Sequence, residues 1–298
     1  MLINKLGEFG LIERFRRQIK TDSTVVKGSG DDCAVIKFDK NNYLLFTCDM
    51  LVEGVDFLPR EKPYLIGRKA IAVSASDIAA CAGKPLYCLV SLSLPKKTSI
   101  DFADKLFKGM RELCRKYKIN LVGGDLSRAG RLTIDVSMLG QVKKKNLVLR
   151  SGAKYGDIIF STGKLGGSIR GKHLRFTPRL KEAKFLTENF KINAMIDISD
   201  GLAQDLAHIL EASKAGAALY EELIPLSPAA RNFAEALYMG EDFELLFTLA
   251  PGDARKIPLK KLSGFTPIGQ IMGEKYGLKL VDKKGQERAI PARGFRHF

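Results

Sequence analysis

The amino-acid sequence predicts an α+β protein built as two α/β domains. Three observations carry this. Helical and strand periodicities follow one another irregularly, not as strict βαβ repeats. A basic segment at 143–152 interrupts them and divides the chain into 1–142 and 143–298. The 298 residues are 45% hydrophobic, enough to bury a core in each part.

In the first part, residues 7–20 place Leu11, Ile12, Phe15 and Ile19 at helical spacing. A polar connector leads to Gly28-Ser29-Gly30-Asp31-Asp32 and an apolar strand. A second strand, Tyr43 to Thr47, returns and ends on Asp49. This hairpin brings Asp31, Asp32 and Asp49 to one end of a sheet. Pro63 opens a helix that reaches Ala82 and is rich in small residues from Ala70 onward, so a neighbour packs closely on it. Asp77 interrupts that apolar surface. It is either a buried, hydrogen-bonded carboxylate or a metal ligand, and the cost of an unpaired buried carboxylate favours the second. Strand 86–94, an amphipathic helix 100–117, a strand ending in Gly123-Gly124-Asp125 and an alternating strand 132–142 complete this part.

The second part opens with strand 157–163 and the turn Lys164-Leu165-Gly166-Gly167-Ser168. That turn reads equally as a phosphate cradle or a plain turn, and it matches neither the Walker nor the Gly-x-Gly-x-x-Gly pattern. A helix follows at 178–189. A strand ends at Asp197, and Ser199 or Asp200 stands where it would cap the helix 202–213 or meet an anion there. Strand 216–219, helix 227–236, the acidic lead-in Gly240-Glu241-Asp242-Phe243-Glu244, strand 265–271 and a lysine-rich hairpin reach the C-terminal Gly294-Phe295.

Composition removes several function classes. No apolar run approaches the roughly 18 residues of a membrane span, and the N-terminus is too polar for a signal peptide. Five scattered cysteines without a Cys-x-x-Cys argue against a disulfide framework or zinc site and fit a reducing cytoplasm. Three dispersed histidines argue against a triad. The net charge of +16 fits polyanionic metabolites better than nucleic acid. Lys143-Lys144-Lys145 is the one dense run, other basic residues form pairs such as Lys260-Lys261, and no aromatics interleave them.

Carboxylates recur at element ends: Asp32, Asp49, Asp77, Asp125, Asp197 and Asp200. Six exceed what one structural ion needs. Several Mg²⁺ ions bridging phosphates would use them, and phosphoryl transfer then asks little covalent help of the protein.

These residues carry a resemblance. Gly7-Glu8-Phe9-Gly10-Leu11-Ile12, Gly28-x-Gly30-Asp31-Asp32, Thr47-x-Asp49-Met50-Leu51-Val52-Glu53-Gly54 and Ser76-Asp77-Ile78-Ala79-Ala80 lie in the first part. Gly123-Gly124-Asp125, Arg150-Ser151-Gly152-Ala153-Lys154, Asp197-x-Ser199-Asp200-Gly201-Leu202 and Gly240-Glu241-Asp242-Phe243-Glu244-Leu245 follow. In this order, nearly end to end, the chain resembles the thiamine-monophosphate kinase family, in the superfamily of aminoimidazole ribonucleotide synthetase and selenophosphate synthetase. The resemblance implies direct, Mg²⁺-assisted phosphorylation of thiamine monophosphate by ATP. It implies metal ligands at Asp32, Thr47, Cys48, Asp49, Asp77, Asp125, Asp197 and Asp200. It implies ATP contacts at Gly124, Asp125, Arg150 and Ser199, and substrate contacts at Asp56, Glu241 and Phe295. It further implies a homodimer in which the N-terminal domain closes a β-barrel with its copy.

Three positions depart from the family pattern. Asp56 stands where His is common, Cys48 replaces Thr or Ser, and the segment Gly166 to Arg179 is short. Two rival readings remain: a sister ATP-dependent enzyme with another substrate, and a basic nucleic-acid-binding protein without the chemistry. No cysteine precedes residue 33, where selenophosphate synthetase carries its reactive group.

Overall fold

The computed structural model describes residues 3–257 and 264–297. The Lys260-Lys261 pair lies outside them. Each half of the chain builds one mixed sheet. The first holds β1 (Val25–Lys27), β2 (Ala34–Lys37), β3 (Asn42–Val52), β4 (Lys84–Leu94), β5 (Asn120–Arg128) and β6 (Thr133–Lys143). Their spatial order is β1-β2-β3-β6-β4-β5, open at both edges, with β4 and β5 parallel.

Helices α2 (Pro63–Ala80) and α3 (Ile100–Tyr117) cover one face of this sheet. Pro63 occupies the first turn of α2, and Ser99 caps α3 by accepting the Phe102 N–H at 3.2 Å. The alanines from Ala70 to Ala80 are buried, as the small-residue pattern predicts, while glycines set the α2–α3 spacing. A Cβ on Gly67 would sit 2.0 Å from the Leu106 carbonyl oxygen, and one on Gly109 would sit 2.0 Å from that of Tyr64. The opposite sheet face is uncovered among the described residues. It exposes Phe46, Met50, Tyr87, Leu89 and Val122.

The second sheet holds β7 (Ile158–Thr162), β8 (Ile192–Asp197), β9 (Ala215–Tyr220), β10 (Leu245–Leu249), β11 (Phe265–Gly273), β12 (Leu278–Val281) and β13 (Glu287–Ala289). Its order is β13-β12-β9-β11-β7-β10-β8. Strand alternation sends Ile159, Ile196 and Leu246 toward α6 (Leu202–Ser213) and α7 (Phe233–Tyr238). Phe160, Met195 and Phe247 face α5 (Leu180–Asn189) on the other side. Ala79 and Ala80 of α2 join that second core, so α2 lies in the seam between the two halves and is buried on nearly every side.

Several local expectations shift. Helix α1 spans Ile3–Arg16, with a break at Gly7 (φ 71°), and stops before Ile19, which is exposed and has no core to hold it in a helix. The predicted helix 227–236 is instead the shorter α7, capped by the Asn232 side chain on the Glu235 N–H at 3.1 Å. Strands β3 and β5 run on through Asp49 and Asp125, so these residues lie within strands and not at their ends. Inside a strand, parity decides which face a side chain joins.

Candidate active site

One stripe of α2 organises the site. Lys69, Val73, Ser76 and Asp77 follow the spacing that aligns side chains on one helix face, and that face meets the second half of the chain. Asp77 accepts the Thr47 hydroxyl at 2.5 Å, which ties α2 to β3. Ser76 donates to Asp197 Oδ2 at 2.6 Å, which ties α2 to the end of β8. Carboxylate oxygens of Asp32, Asp77 and Asp197 all lie within 4.8 Å of one another. Asp49, two residues beyond Thr47 and therefore on the same face of β3, completes the group.

The cluster is crowded with like charge. Burial, reinforced by Asp32, pushes the Asp197 carboxyl up to about 8. Burial, with Asp135 and Asp32 adding repulsion, pushes Asp49 up to about 6. Asp77 is driven well above its ordinary value by burial and then by Asp49, Asp197 and Asp32. Among the described residues, Arg150 is the one cation bonded to this group, through Nη2 to Asp32 Oδ1 at 2.8 Å. Its backbone N–H also points at Asp31, whose carboxyl burial and Asp32 raise to about 6. Asp32 Oδ2 and Asp49 Oδ2 are buried without any hydrogen-bond partner. Buried oxygens left unpaired in an anionic cluster fit hard divalent cations.

A cleft of about 310 Å³ adjoins the cluster, lined by Asp49, Asp56, Asp200, Glu241, His173 and Phe295 among others. The Asp56 carboxylate accepts the Val52 N–H at 2.7 Å. Glu241 adopts a left-handed backbone (φ 65°) that turns its side chain to Lys69, whose Nζ lies 2.5 Å from Oε1. Phe295 lies on the C-terminal tail, which the Asp200 carbonyl holds by accepting the Phe295 N–H at 2.9 Å. The His297 N–H donates to Glu8 of α1 at 2.8 Å, so the tail straps over α6 and α1. Phe295 therefore lines the cleft, 42% exposed, with His297 edge-on at 5.0 Å, and does not anchor the tail in a core.

Asp200 and Ser199 also line the cleft, but neither caps α6. Gly201 is the N-cap, and Asp205 from inside the helix accepts the N–H groups of Asp200 (3.1 Å) and Gly201 (3.0 Å). Asp200 is left with its carboxyl raised to about 6 by burial and Glu8. Its carboxylate lies near those of Asp205 and the His208 ring.

Other expected site residues lie elsewhere in their own chain. Asp125 pairs across strands with Ser91, Ser91 with Asp135, and Asp135 with Met50, so all four share the open face of the first sheet. Gly124 lies on the same exposed edge strand. The Cys48 thiol faces away from the cluster because Cys48 alternates with Thr47 and Asp49. The turn at Gly166 is no free phosphate cradle: its N–H donates to buried Asp242 at 2.8 Å. Sequence reasoning passed over Lys69, Asp205 and His173. Lys69 had a signal, a lysine on the apolar stripe of an alanine-rich helix. His173 had none, since its place depends on how the short 166–179 segment folds back.

Two α/β layers that share a carboxylate-lined seam define the class, that of the AIR synthase related proteins. Residues 30–142 match the family model of their N-terminal domain, and residues 143–279 match that of their C-terminal domain. Within that class, the chain is 38% identical over 328 aligned residues to the thiamine-monophosphate kinase of Buchnera aphidicola subsp. Schizaphis graminum, covering 98% of this chain and 99% of the relative. It is 34% identical to the thiamine-monophosphate kinase of Escherichia coli strain K12, covering 98% of each. A solved structure of AaThiL complexed with AMPPCP and TMP superposes with a TM-score of 0.88 at 31% identity, covering 100% of this chain and 99% of that one. The chain belongs to the thiamine-monophosphate kinase family. No helix among the described residues is long and apolar enough to cross a membrane.

Proposed function

We infer that this chain transfers the γ-phosphoryl group of ATP to thiamine monophosphate, giving thiamine diphosphate. The observation that carries this reading is the buried group of Asp32, Asp49, Asp77 and Asp197, with two unpaired oxygens, opening onto a cleft next to Glu241 and Phe295. Asp32, Asp49, Asp77 and Asp197, with Thr47 and Asp200, would hold Mg²⁺. Bound there, Mg²⁺ would neutralise the phosphate oxygens and the charge that develops during transfer. The cleft holds the acceptor phosphate in line with the donor. Phe295 offers a flat apolar wall to the thiamine rings, while Glu241 and Asp56 face their polar edge. The acceptor is itself a phosphate oxygen, largely ionised at neutral pH. It needs no general base, and His173 and His208 need take no proton. Arg150, which sits on Asp32, and Ser199, which lines the cleft, would meet the nucleotide phosphates.

The division at residue 142 makes the first domain the one that binds nucleotide and dimerises, and the second the one that completes the site. The exposed row Phe46, Met50, Tyr87, Leu89 and Val122 supports pairing of two copies, face to face, into a barrel. In that assembly Gly124 and Asp125 meet nucleotide and metal across the dimer seam. Five unpaired cysteines fit a cytoplasmic enzyme. Purified protein supplied with ATP, Mg²⁺ and thiamine monophosphate should form thiamine diphosphate with matching ADP. A folded protein that forms none, or that phosphorylates only a different monophosphate, would reject the assignment.

A further inference from the structure

We propose that Lys69 is a positioning residue for substrate recognition, acting through Glu241. Lys69 projects from the middle of α2 and is fully buried. Burial of a lysine is costly unless its ammonium is paired and hydrogen-bonded. Two partners reach it from outside α2, one of them 172 residues along the chain. The Asp56 carbonyl accepts at 2.7 Å and anchors the ammonium, and Glu241 Oε1 accepts at 2.5 Å. Glu241 retains partial exposure to the cleft, its side chain 27% accessible. The Lys69 bond occupies one carboxylate oxygen and so presents the other to the cleft.

This division of labour has chemical content. Burial raises the Glu241 carboxyl above its ordinary value, and Lys69 opposes that. Without the ammonium, the carboxyl would take up a proton more readily and be free to rotate. Asp56 adds a second negative charge on the cleft side, while His173, Glu61 and Arg175 stand around the same region. A Glu241 held ionised and oriented suits a substrate that presents N–H donors and a cationic ring, as the aminopyrimidine and thiazolium of thiamine monophosphate do. Lys69 also spans the seam, since α2 belongs to the first half and Glu241 to the second.

The inference rests on the kinase reading, and the test separates the two. Wild-type turnover of thiamine monophosphate checks the reading itself. Given that turnover, Lys69→Met should raise the KM for thiamine monophosphate roughly 10- to 100-fold, the range for losing a hydrogen bond to a charged group. The KM for ATP should stay within about twofold, and Lys69→Arg should recover much of the loss, because it restores the cation. Glu241→Gln combined with Lys69→Met leaves no lone buried charge. It should bind substrate no worse than Glu241→Gln alone, because Lys69 acts through that carboxylate. The double variant keeps the test open should Lys69→Met fold poorly. An unchanged substrate KM in folded Lys69→Met, an equal rise in both KM values, or a double variant much worse than Glu241→Gln would overturn the proposal.

Discussion

Replacing Asp197 with Asn tests the electrostatics of the cluster directly. Asp197 is buried at the end of β8, accepts the Ser76 hydroxyl at 2.6 Å, and has its carboxyl pushed from 3.8 up to about 8 by burial and Asp32. In the unfolded chain the same group titrates near its ordinary value. Between the two values the folded state binds the extra proton, so the metal-free protein loses stability as pH rises from about 4 to about 8. At about 1.4 kcal/mol per pH unit, the cost at pH 8 is on the order of 5 kcal/mol. The Asn side chain preserves the shape and keeps an acceptor for Ser76, while removing the charge. In the presence of a chelator, the variant should therefore melt higher than wild type at pH 8, by on the order of 10 °C, and the gap should close toward pH 4. Adding Mg²⁺ should raise the wild-type melting temperature and move the variant much less. Turnover should fall by about 100-fold or more, since the site loses one of the oxygens that gather cations against phosphate. Thermal melts at pH 4 to 8 with chelator and with Mg²⁺, alongside initial rates, make the measurement. Superimposable wild-type and variant melts across that range, or a variant less stable at pH 8, would refute the reasoning.

Two further outcomes follow from the geometry. Leu89→Glu places a charge on the open sheet face, at a residue 47% exposed in the single chain. It should leave the fold intact, convert dimer to monomer in light scattering and depress activity; a monomeric wild type, or a variant that stays dimeric, would remove the argument for the barrel. Phe295→Ala should raise the KM for thiamine monophosphate roughly tenfold through lost ring contact and change the KM for ATP little. Steady-state kinetics with each substrate varied checks this, and a shift in the ATP value instead would mean that Phe295 serves the nucleotide end.

Much of the architecture was legible locally. Helix 100–117 and helix 202–213 stand where their periodicity put them, and Pro63 opens its helix. The clustering of Asp32, Asp49, Asp77 and Asp197 was legible as a set, because four carboxylates at glycine-flanked or apolar positions have few stable environments other than a shared cation site. Parity within strands was harder to read. Asp125 and Cys48 sit among residues of the right type, yet β5 and β3 continue through them and turn both side chains to the open face. A strand's end is set by its ladder partners, and those come from residues far along the chain. The cap of α6 went the same way: Ser199 and Asp200 have the chemistry, but Asp205 reaches the free N–H groups first.

The order of residues decided which segments coil, which extend, and that acidic side chains would be buried beside glycines. Those choices follow from short-range periodicity and from the cost of an unpaired carboxylate, and both can be read within a few residues. The packing of α2 in the seam decided that Asp77 faces Asp197, that Lys69 meets Glu241, and that Asp125 stands apart from them in its own chain. Each of those contacts joins positions more than a hundred residues apart or depends on which strand lies next to which. No local pattern encodes such a meeting, because it is fixed by the burial of the whole helix between two sheets.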